Sequence, residues 1–346
     1  MSEEYRVQVE RVRKVFYTHH FFQRHEETDE RHAFRKKAVT AAAEVDFCIR
    51  RGEIFGLLGP NGAGKTTTVK MISGLIRPNA GTVYVDGLNV EKKRLQALRK
   101  VGVVLEGTRT TIWPLTPLEN LAYFGTLKDV RGEVLRSRSL ELLDFIGLRD
   151  KMNVQVRKLS RGQKQKLAIC IALIADPPVV LLDEPTTGLD VQSSRTIKDK
   201  IIELTRERGK SALVTTHDMH VAQELCDRIG IINEGRMVAC RPTDELIEVF
   251  SDFTFVFHLD RLPLTAPFEA LRGVDLAEAS MEDNEPALVL TISADAGERS
   301  EALYGAVEEL RAGGYQVRSI TQRKQNLENV FLRLTAKQPE KKGAAT

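Results

Sequence analysis

Ile54-Phe55-Gly56-Leu57-Leu58-Gly59-Pro60-Asn61-Gly62-Ala63-Gly64-Lys65-Thr66-Thr67 joins an apolar run, a glycine-rich turn and a Lys-Thr pair in unbroken succession. The apolar part, Ile54 to Leu58, reads as a buried strand, and Thr66 to Ser73 is compatible with a helix. Between them the residues fit G-x-x-x-x-G-K-[ST], a phosphate-binding loop. Glycines there let backbone N–H groups close around phosphates without Cβ clashes. The helix N-terminus that follows adds partial positive charge. In that pattern Lys65 reaches the β- and γ-phosphates and the Thr66 hydroxyl ligates Mg²⁺. A chance glycine-rich turn would not bring strand, loop, Lys-Thr and helix together in this order. The stretch therefore implies binding of a nucleoside triphosphate.

The rest of the chain bounds what surrounds that loop. A length of 346 residues exceeds one ordinary core and suggests two domains. With 42% hydrophobic and 29% charged residues the composition is that of a soluble globular protein. A net charge of +3 gives no electrostatic case for nucleic-acid binding. No apolar run approaches bilayer length, so work at a membrane requires a partner. Met1 to Arg6 shows no basic-then-apolar signal pattern. Cys48, Cys170, Cys226 and Cys240 are dispersed without metal-ligand spacing and read as buried, reduced thiols of a cytosolic protein.

Along the chain, Val7, Val9 and Val12 begin an alternating strand that ends near Phe16-Tyr17. A polar stretch, 18–37, follows and reads as an insertion or long flexible hairpin. Its His19, His20, His25 and His32 match no closed zinc pattern. Val45 to Ile49 alternates as a strand, Gly81 to Gly87 reads as strand then turn, and Pro117 to Gly147 is mostly helical. Val179 to Leu182 and Ser211 to Thr215 are runs of the buried parallel-strand type. Strands alternating with helices argue for an α/β domain over 1–250. Composition shifts near Ser251. Beyond it Thr254 to Leu259, Ala287 to Ser293 and Val317 to Thr321 read as strands. Arg299 to Gly313 reads as a helix with Ala302, Leu303, Val307 and Leu310 on one face, and Leu327 to Leu334 as a short helix. The expectation is a small α+β domain over 251–336 and a disordered tail over 337–346.

Three further motifs accompany the phosphate loop. Leu159-Ser160-Arg161-Gly162-Gln163 precedes a helical run, Lys164 to Ile174. Val179-Val180-Leu181-Leu182-Asp183-Glu184-Pro185 is an apolar strand ending in paired acids, with Gly188-Leu189-Asp190 close behind. Thr215-Thr216-His217-Asp218 ends the next strand. At the strand end Asp183 can hold Mg²⁺ directly or through water. Glu184 is the general-base candidate, polarising the water that attacks the γ-phosphate. In this order and spacing the set resembles the nucleotide-binding subunit of ATP-binding-cassette (ABC) transporters, over about Tyr5 to Asp244.

The resemblance implies a P-loop ABC ATPase domain with a mostly parallel sheet core, an antiparallel β subdomain and a helical subdomain over about 106–165. It implies ATP and Mg²⁺ as ligands, with Gly59, Pro60, Asn61, Gly62, Ala63, Gly64, Lys65, Thr66 and Thr67 at the nucleotide. His217 resembles the family's switch histidine at the γ-phosphate. Leu159, Ser160, Arg161, Gly162 and Gln163 resemble its signature, which faces the ATP of a second subunit. Asp190 resembles the acid linking the two sites. The implied assembly is a head-to-tail homodimer or heterodimer around two ATPs. Phe16 is the candidate for stacking on adenine, with Tyr17 as its alternate.

Two residues depart from the family pattern. Glu106 stands where a glutamine is usual and is taken as a third metal ligand beside Thr66 and Asp183; a carboxylate binds Mg²⁺ more strongly but adds charge near phosphates. Arg161 stands where glycine is commonest and is expected either to point outward or to add positive potential, at little cost.

The loop Gly107 to Pro117 is expected to meet a membrane subunit. Its Ile112, Trp113, Pro114 and Leu115 suit either that contact or packing within the domain. Leu327-Glu328-Asn329-Val330-Phe331-Leu332-Arg333-Leu334-Thr335 resembles the ending of stand-alone exporter ATPases of the daunorubicin-resistance type. That implies an exporter ATPase subunit, peripheral on the cytoplasmic face of the cell membrane, energising a separate polytopic permease. The alternatives are a non-transport ABC ATPase acting on ribosomes or DNA, and an importer ATPase. A single cassette with no heptad insertion and no Cys-rich module weighs against the first, and the exporter-like ending against the second.

Overall fold

The computed structural model describes residues 4–19, 36–107, 110–249, 253–282, 284–292 and 296–322, with Leu327, Phe331 and Leu334. Most of the polar stretch 18–37 and all of the tail 337–346 lie outside the described residues. The chain divides into two compact units, the second being Asp244–Arg333, which begins a few residues before the compositional shift at Ser251.

The first unit is built on one ten-stranded sheet. Its strands are β1 (Tyr5–His19), β2 (Lys36–Arg50), β3 (Ile54–Leu58), β4 (Ala80–Val85), β5 (Leu88–Asn89), β6 (Val101–Val104), β7 (Val179–Asp183), β8 (Ser211–Thr216), β9 (Arg228–Asn233) and β10 (Arg236–Pro242). They lie in the order β5-β4-β1-β2-β10-β9-β3-β8-β7-β6. From β9 to β6 the neighbours run parallel. Strands β3, β7 and β8 are buried at every residue, which is why residues 54–58, 179–182 and 212–214 read as continuous apolar runs rather than alternating ones. At the other side β1 pairs antiparallel with both β2 and β4. The three-residue step from Val9 to Val12 is a β-bulge: Arg11 has φ 44° and the register shifts there against both neighbours. Val7, Val9 and Val12 therefore all face one core, which also holds Phe47, Phe55, Leu57 and Leu181.

The helices of this unit are α1 (Lys65–Ile72), α2 (Arg94–Arg99), α3 (Pro117–Leu127), α4 (Gly132–Phe145), α5 (Arg161–Leu173), α6 (Val191–Arg206) and α7 (Met219–Leu225); α8 (Thr243–Val249) starts at its end. Helix α3 starts on a capping box, Thr116 with Glu119, with Pro117 at its first position. All four cysteines are free; burial pushes the thiols of Cys170 and Cys226 well up, whereas Cys48 and Cys240 are only half-buried.

The second unit has α9 (Ala266–Glu269), α10 (Ala296–Ala312) and the strands β11 (Phe253–Leu259), β12 (Val274–Glu282), β13 (Glu285–Ile292) and β14 (Val317–Gln322). The strands form an antiparallel sheet in the order β12-β13-β11-β14. Ala302, Ala306 and Leu310 of α10 pack on Phe257, Leu288 and Leu290 of that sheet. The buried stripe thus runs through positions four apart. Val307, expected on it, lies on the flank and is 40% exposed, and Ala306 takes its place. Leu327 and Phe331 are buried and Leu334 half-buried, at the i, i+4, i+7 spacing of one helical face.

Candidate functional site

The loop between β3 and α1 is wedged between two strands. A Cβ on Gly59 would lie 2.3 Å from the Ile232 carbonyl oxygen of β9, and one on Gly64 would lie 2.3 Å from that of Ala41 on β2. Gly64 also has φ 107°, so both positions admit only glycine. Pro60, Asn61 and Gly62 form the exposed rim, Ala63 is buried, and Thr66 and Thr67 are half-buried on the first turn of α1. Lys65 is turned inward and buried. Its Nζ donates to the carbonyl oxygens of Gly59 (2.6 Å) and Pro60 (3.3 Å) and lies 3.4 Å from Glu184 Oε1.

Strand β7 delivers the paired acids beside that lysine. Asp183 is fully buried. Its Oδ1 accepts from Thr66 Oγ1 (3.2 Å) and Thr215 Oγ1 (2.5 Å). Its Oδ2 is buried with no hydrogen-bond partner among the described residues. A buried, unpartnered carboxylate oxygen beside a threonine hydroxyl fits a hard cation such as Mg²⁺, which takes one or two carboxylates and completes its shell with phosphates and water. Among the described residues no three His, Cys, Asp or Glu side chains gather into a cluster that could hold a metal.

Glu184 sits just past the strand with φ 51°, a left-handed conformation uncommon for a residue with a Cβ. Its amide is anchored to Thr215 through the carbonyl and hydroxyl oxygens, both at 3.1 Å. Its Oε2 accepts from Thr187 Oγ1 (2.8 Å) and lies 2.9 Å from Nδ1 of His217. Its Oε1 is buried and lacks a hydrogen-bond partner among the described residues. His217, at the end of β8, is 47% exposed, and the next residue, Asp218, caps α7 through the amides of His220 and Val221. Oε2 is thus held by two neighbours, and Oε1 faces the Lys65 ammonium.

Glu106 lies two residues beyond β6, whose Val104 is level with Leu182 of β7. It is exposed and lines a cleft of about 340 Å³ together with Trp113, Arg161, Lys164, Glu184 and Thr187. The hydrogen bonds to Asp183 come from Thr66 and Thr215, not from Glu106. Phe16 on β1 is half-buried, opposite Val39, with Lys14 Nζ 5.3 Å from its ring centre; Tyr17 is exposed.

The second group of predicted residues gathers at the starts of α5 and α6. Ser160 and Gln163 form a reciprocal capping box: Ser160 Oγ accepts from the Gln163 amide (3.2 Å) and Gln163 Oε1 from the Ser160 amide (3.0 Å). Leu159 is buried. A Cβ on Gly162 would lie 2.5 Å from Ser193 Oγ, so the two helix starts touch there. Asp190 caps α6, accepting from the Ser193 amide (2.8 Å) and hydroxyl (2.7 Å). Those bonds hold its carboxyl below the usual aspartate range. Arg161 is exposed, and its Nη2 donates to the Thr187 carbonyl oxygen at 2.9 Å, where Gly188 (φ 68°) leaves room for the guanidinium.

The loop before α3 is stitched to the segment leading into Ser160. The Trp113 carbonyl accepts from the Arg157 amide (3.0 Å) and that of Leu115 from the Val156 amide (2.9 Å). Buried Asn120 donates to the carbonyl oxygens of Ile112 and Thr116 and accepts from the Ile112 amide. Ile112 and Leu115 are half-buried; Trp113 and Pro114 are exposed, and Lys164 Nζ sits 4.7 Å from the Trp113 ring centre. Sequence reasoning missed Thr187 and Thr215, whose hydroxyls hold Glu184 and Asp183. Thr215 was in plain view at the end of an apolar strand level with the acids.

Residues 42–187 match the sequence model of the family described as ABC transporter. The linearmycin resistance ATP-binding protein LnrL of Bacillus subtilis is 32% identical over 307 residues, 88% of this chain and 96% of its own. The Nod factor export ATP-binding protein I of Ralstonia nicotianae is 38% identical over 312 residues, 86% of this chain and 90% of its own. Among solved structures, the dimeric post-hydrolysis state of the ATP-binding cassette MJ0796, bound to ADP and Pi, superposes with a TM-score of 0.58 at 30% identity, over 68% of this chain and 98% of that one. The sheet, the phosphate loop with its acidic strand end, and these likenesses together identify the chain as a member of the ABC transporter ATP-binding family, an ABC ATPase of transporter type.

Proposed function

We propose that this chain is the ATP-hydrolysing subunit of an ABC exporter, acting with a separate polytopic permease on the cytoplasmic face of the membrane. Two copies, or one copy and a close relative, close around two ATP molecules. The observation that carries the reading is the state of Glu184: Oε2 engaged by Thr187 and His217, and Oε1 buried, without a hydrogen bond among the described residues and 3.4 Å from the Lys65 ammonium. That is the arrangement of a base waiting for a water proton.

In this reading Lys65 and the loop amides from Gly59 to Thr67 bind the β- and γ-phosphates. Thr66 and Asp183 hold Mg²⁺, with Glu106 at the edge of that site. The cation, when bound, offsets phosphate charge. Glu184 takes the proton of the attacking water and His217 orients the γ-phosphate end of the nucleotide. Phe16 stacks on adenine. Leu159 to Gln163 and Asp190 face the nucleotide of the second subunit, where the start of α5 supplies amide dipoles. ATP binding favours the closed pair and hydrolysis the open one, and the permease follows that difference in affinity.

Export is supported by the names of relatives that align over most of the chain, one in linearmycin resistance and one in Nod factor export. A permease partner is supported by the exposed Trp113 and Pro114, which lie on a loop tied by backbone bonds to the segment before Ser160. Among the described residues no helix is long and apolar enough to cross a membrane. The test is capture from native membranes: tagged full-length Glu184→Gln with ATP and Mg²⁺, gently solubilised. A stoichiometric polytopic protein is expected; ribosomes, DNA factors or soluble partners alone would overturn the exporter reading.

A further inference from the structure

Three side chains and one turn make a continuous link from the start of α5 to the carboxylate of Glu184. Arg161 Nη2 donates to the Thr187 carbonyl oxygen at 2.9 Å. The same guanidinium fills the space against Gly188: a Cβ there would lie 2.4 Å from Nη1 and 2.5 Å from the guanidinium carbon. The hydroxyl of Thr187 then donates to Glu184 Oε2 at 2.8 Å. The turn between them is closed by its own backbone, with the Thr187 amide on the Glu184 carbonyl and the Leu189 amide on that of Thr186, both at 3.3 Å. Those turn bonds are long, and two residues of the segment, Glu184 and Gly188, have positive φ. The charged donor adds to such a turn a bond shorter than the turn's own backbone bonds.

We infer that Arg161 is a positioning residue for hydrolysis: through Thr187 it fixes which oxygen of Glu184 is engaged by the turn and which is turned toward Lys65. This inference rests on the assignment of Glu184 as the base and adds a residue from the signature segment to it. Arg161 makes its hydrogen bond to the turn, at Thr187. It acts on the turn, and the turn acts on the carboxylate. Because Arg161 is the first residue of α5, and Gly162 beside it abuts Ser193 at the start of α6, displacement of α5 moves Thr187 with it. The segment that faces the second subunit's nucleotide in the proposed assembly is thereby tied to the base of its own site. A shared, packed element of this kind is the physical requirement for coupling two sites.

The test combines a structural and a kinetic readout on the full chain. Hydrogen exchange in a peptide spanning residues 184–190, without nucleotide, should quicken in Arg161→Ala. Arg161→Lys, which keeps one donor for the Thr187 carbonyl, should restore it in part. Arg161→Ala should lower kcat about tenfold with KM for ATP little changed. In a Thr187→Val background, where the hydroxyl that engages Glu184 is already gone, Arg161→Ala should cost no further activity. Unchanged exchange, or an equal loss of kcat in both backgrounds, overturns the inference. Failure of the Glu184 assignment registers elsewhere: Glu184→Gln would then turn over normally, whatever the exchange data show.

Discussion

The two ends of the proposed ATP site solve their polar bookkeeping in opposite ways. At the phosphate loop and the end of β7, buried groups are left wanting: Asp183 Oδ2 and Glu184 Oε1 have no hydrogen-bond partner among the described residues, and Lys65 falls back on the carbonyls of its own loop. At the starts of α5 and α6 the polar side chains are satisfied within the chain, with Ser160 and Gln163 capping each other and Asp190 capping α6. The first arrangement costs stability and is retained where a ligand completes it. The second is already stable and can be offered to another molecule without rearrangement. One chain thus carries a site that needs a ligand and a surface that needs none. That asymmetry is what a head-to-tail pair requires.

The sharpest way to break the contrast is to remove charge at the wanting end. Glu184→Gln keeps the shape of the side chain and removes its basicity; turnover measured by phosphate release should fall at least about a hundredfold, with ATP binding retained. Next in size is Lys65→Ala. Loss of the phosphate-facing ammonium should weaken ATP binding roughly ten- to a hundredfold by calorimetry.

At the satisfied end the effects should be smaller and of a different kind. Ser160→Ala removes the cap of α5 and should cost about 1 kcal/mol in chemical denaturation, while leaving ATP binding to a single copy unchanged. Glu106→Gln, exposed and outside the bonds that hold Asp183, should retain hydrolysis within about threefold. Complete loss would show that the carboxylate is required. The smallest effect is acid dependence. The amide and hydroxyl of Ser193 hold the Asp190 carboxyl below its usual range. A group with a depressed folded-state pKa contributes stability that is present above its unfolded value, ordinarily near 4, and is lost as pH falls through the folded value. In Asp190→Asn that contribution should vanish, so the unfolding midpoints of the two proteins should converge as pH falls.

What the sequence made legible follows the same division. That the phosphate loop, the acids at the end of β7 and His217 lie together could be expected from the sequence, because the proposed chemistry restricts residue type at fixed spacing. The largely apolar runs within β3, β7 and β8 announced buried strands. The role of Arg161 was not readable: its partner is a backbone carbonyl twenty-six positions away, and no side-chain pattern reports a carbonyl. Thr187 was hidden for a related reason, since a threonine after a proline in a turn has no distinctive signal until Glu184 is seen to adopt φ 51°. In the second unit β12 went unread because its exposed residues carry little apolar alternation. Val307 was assigned to the wrong face because it stands beside, rather than on, the stripe of residues four apart.

The most direct measurement is the solution mass of full-length Glu184→Gln by light scattering, with Mg²⁺-ATP, with Mg²⁺-ADP and without nucleotide. A unit that needs a ligand at one end and offers a finished surface at the other should double its mass with ATP alone. A single mass under all three conditions, with ATP bound, would contradict the shared site.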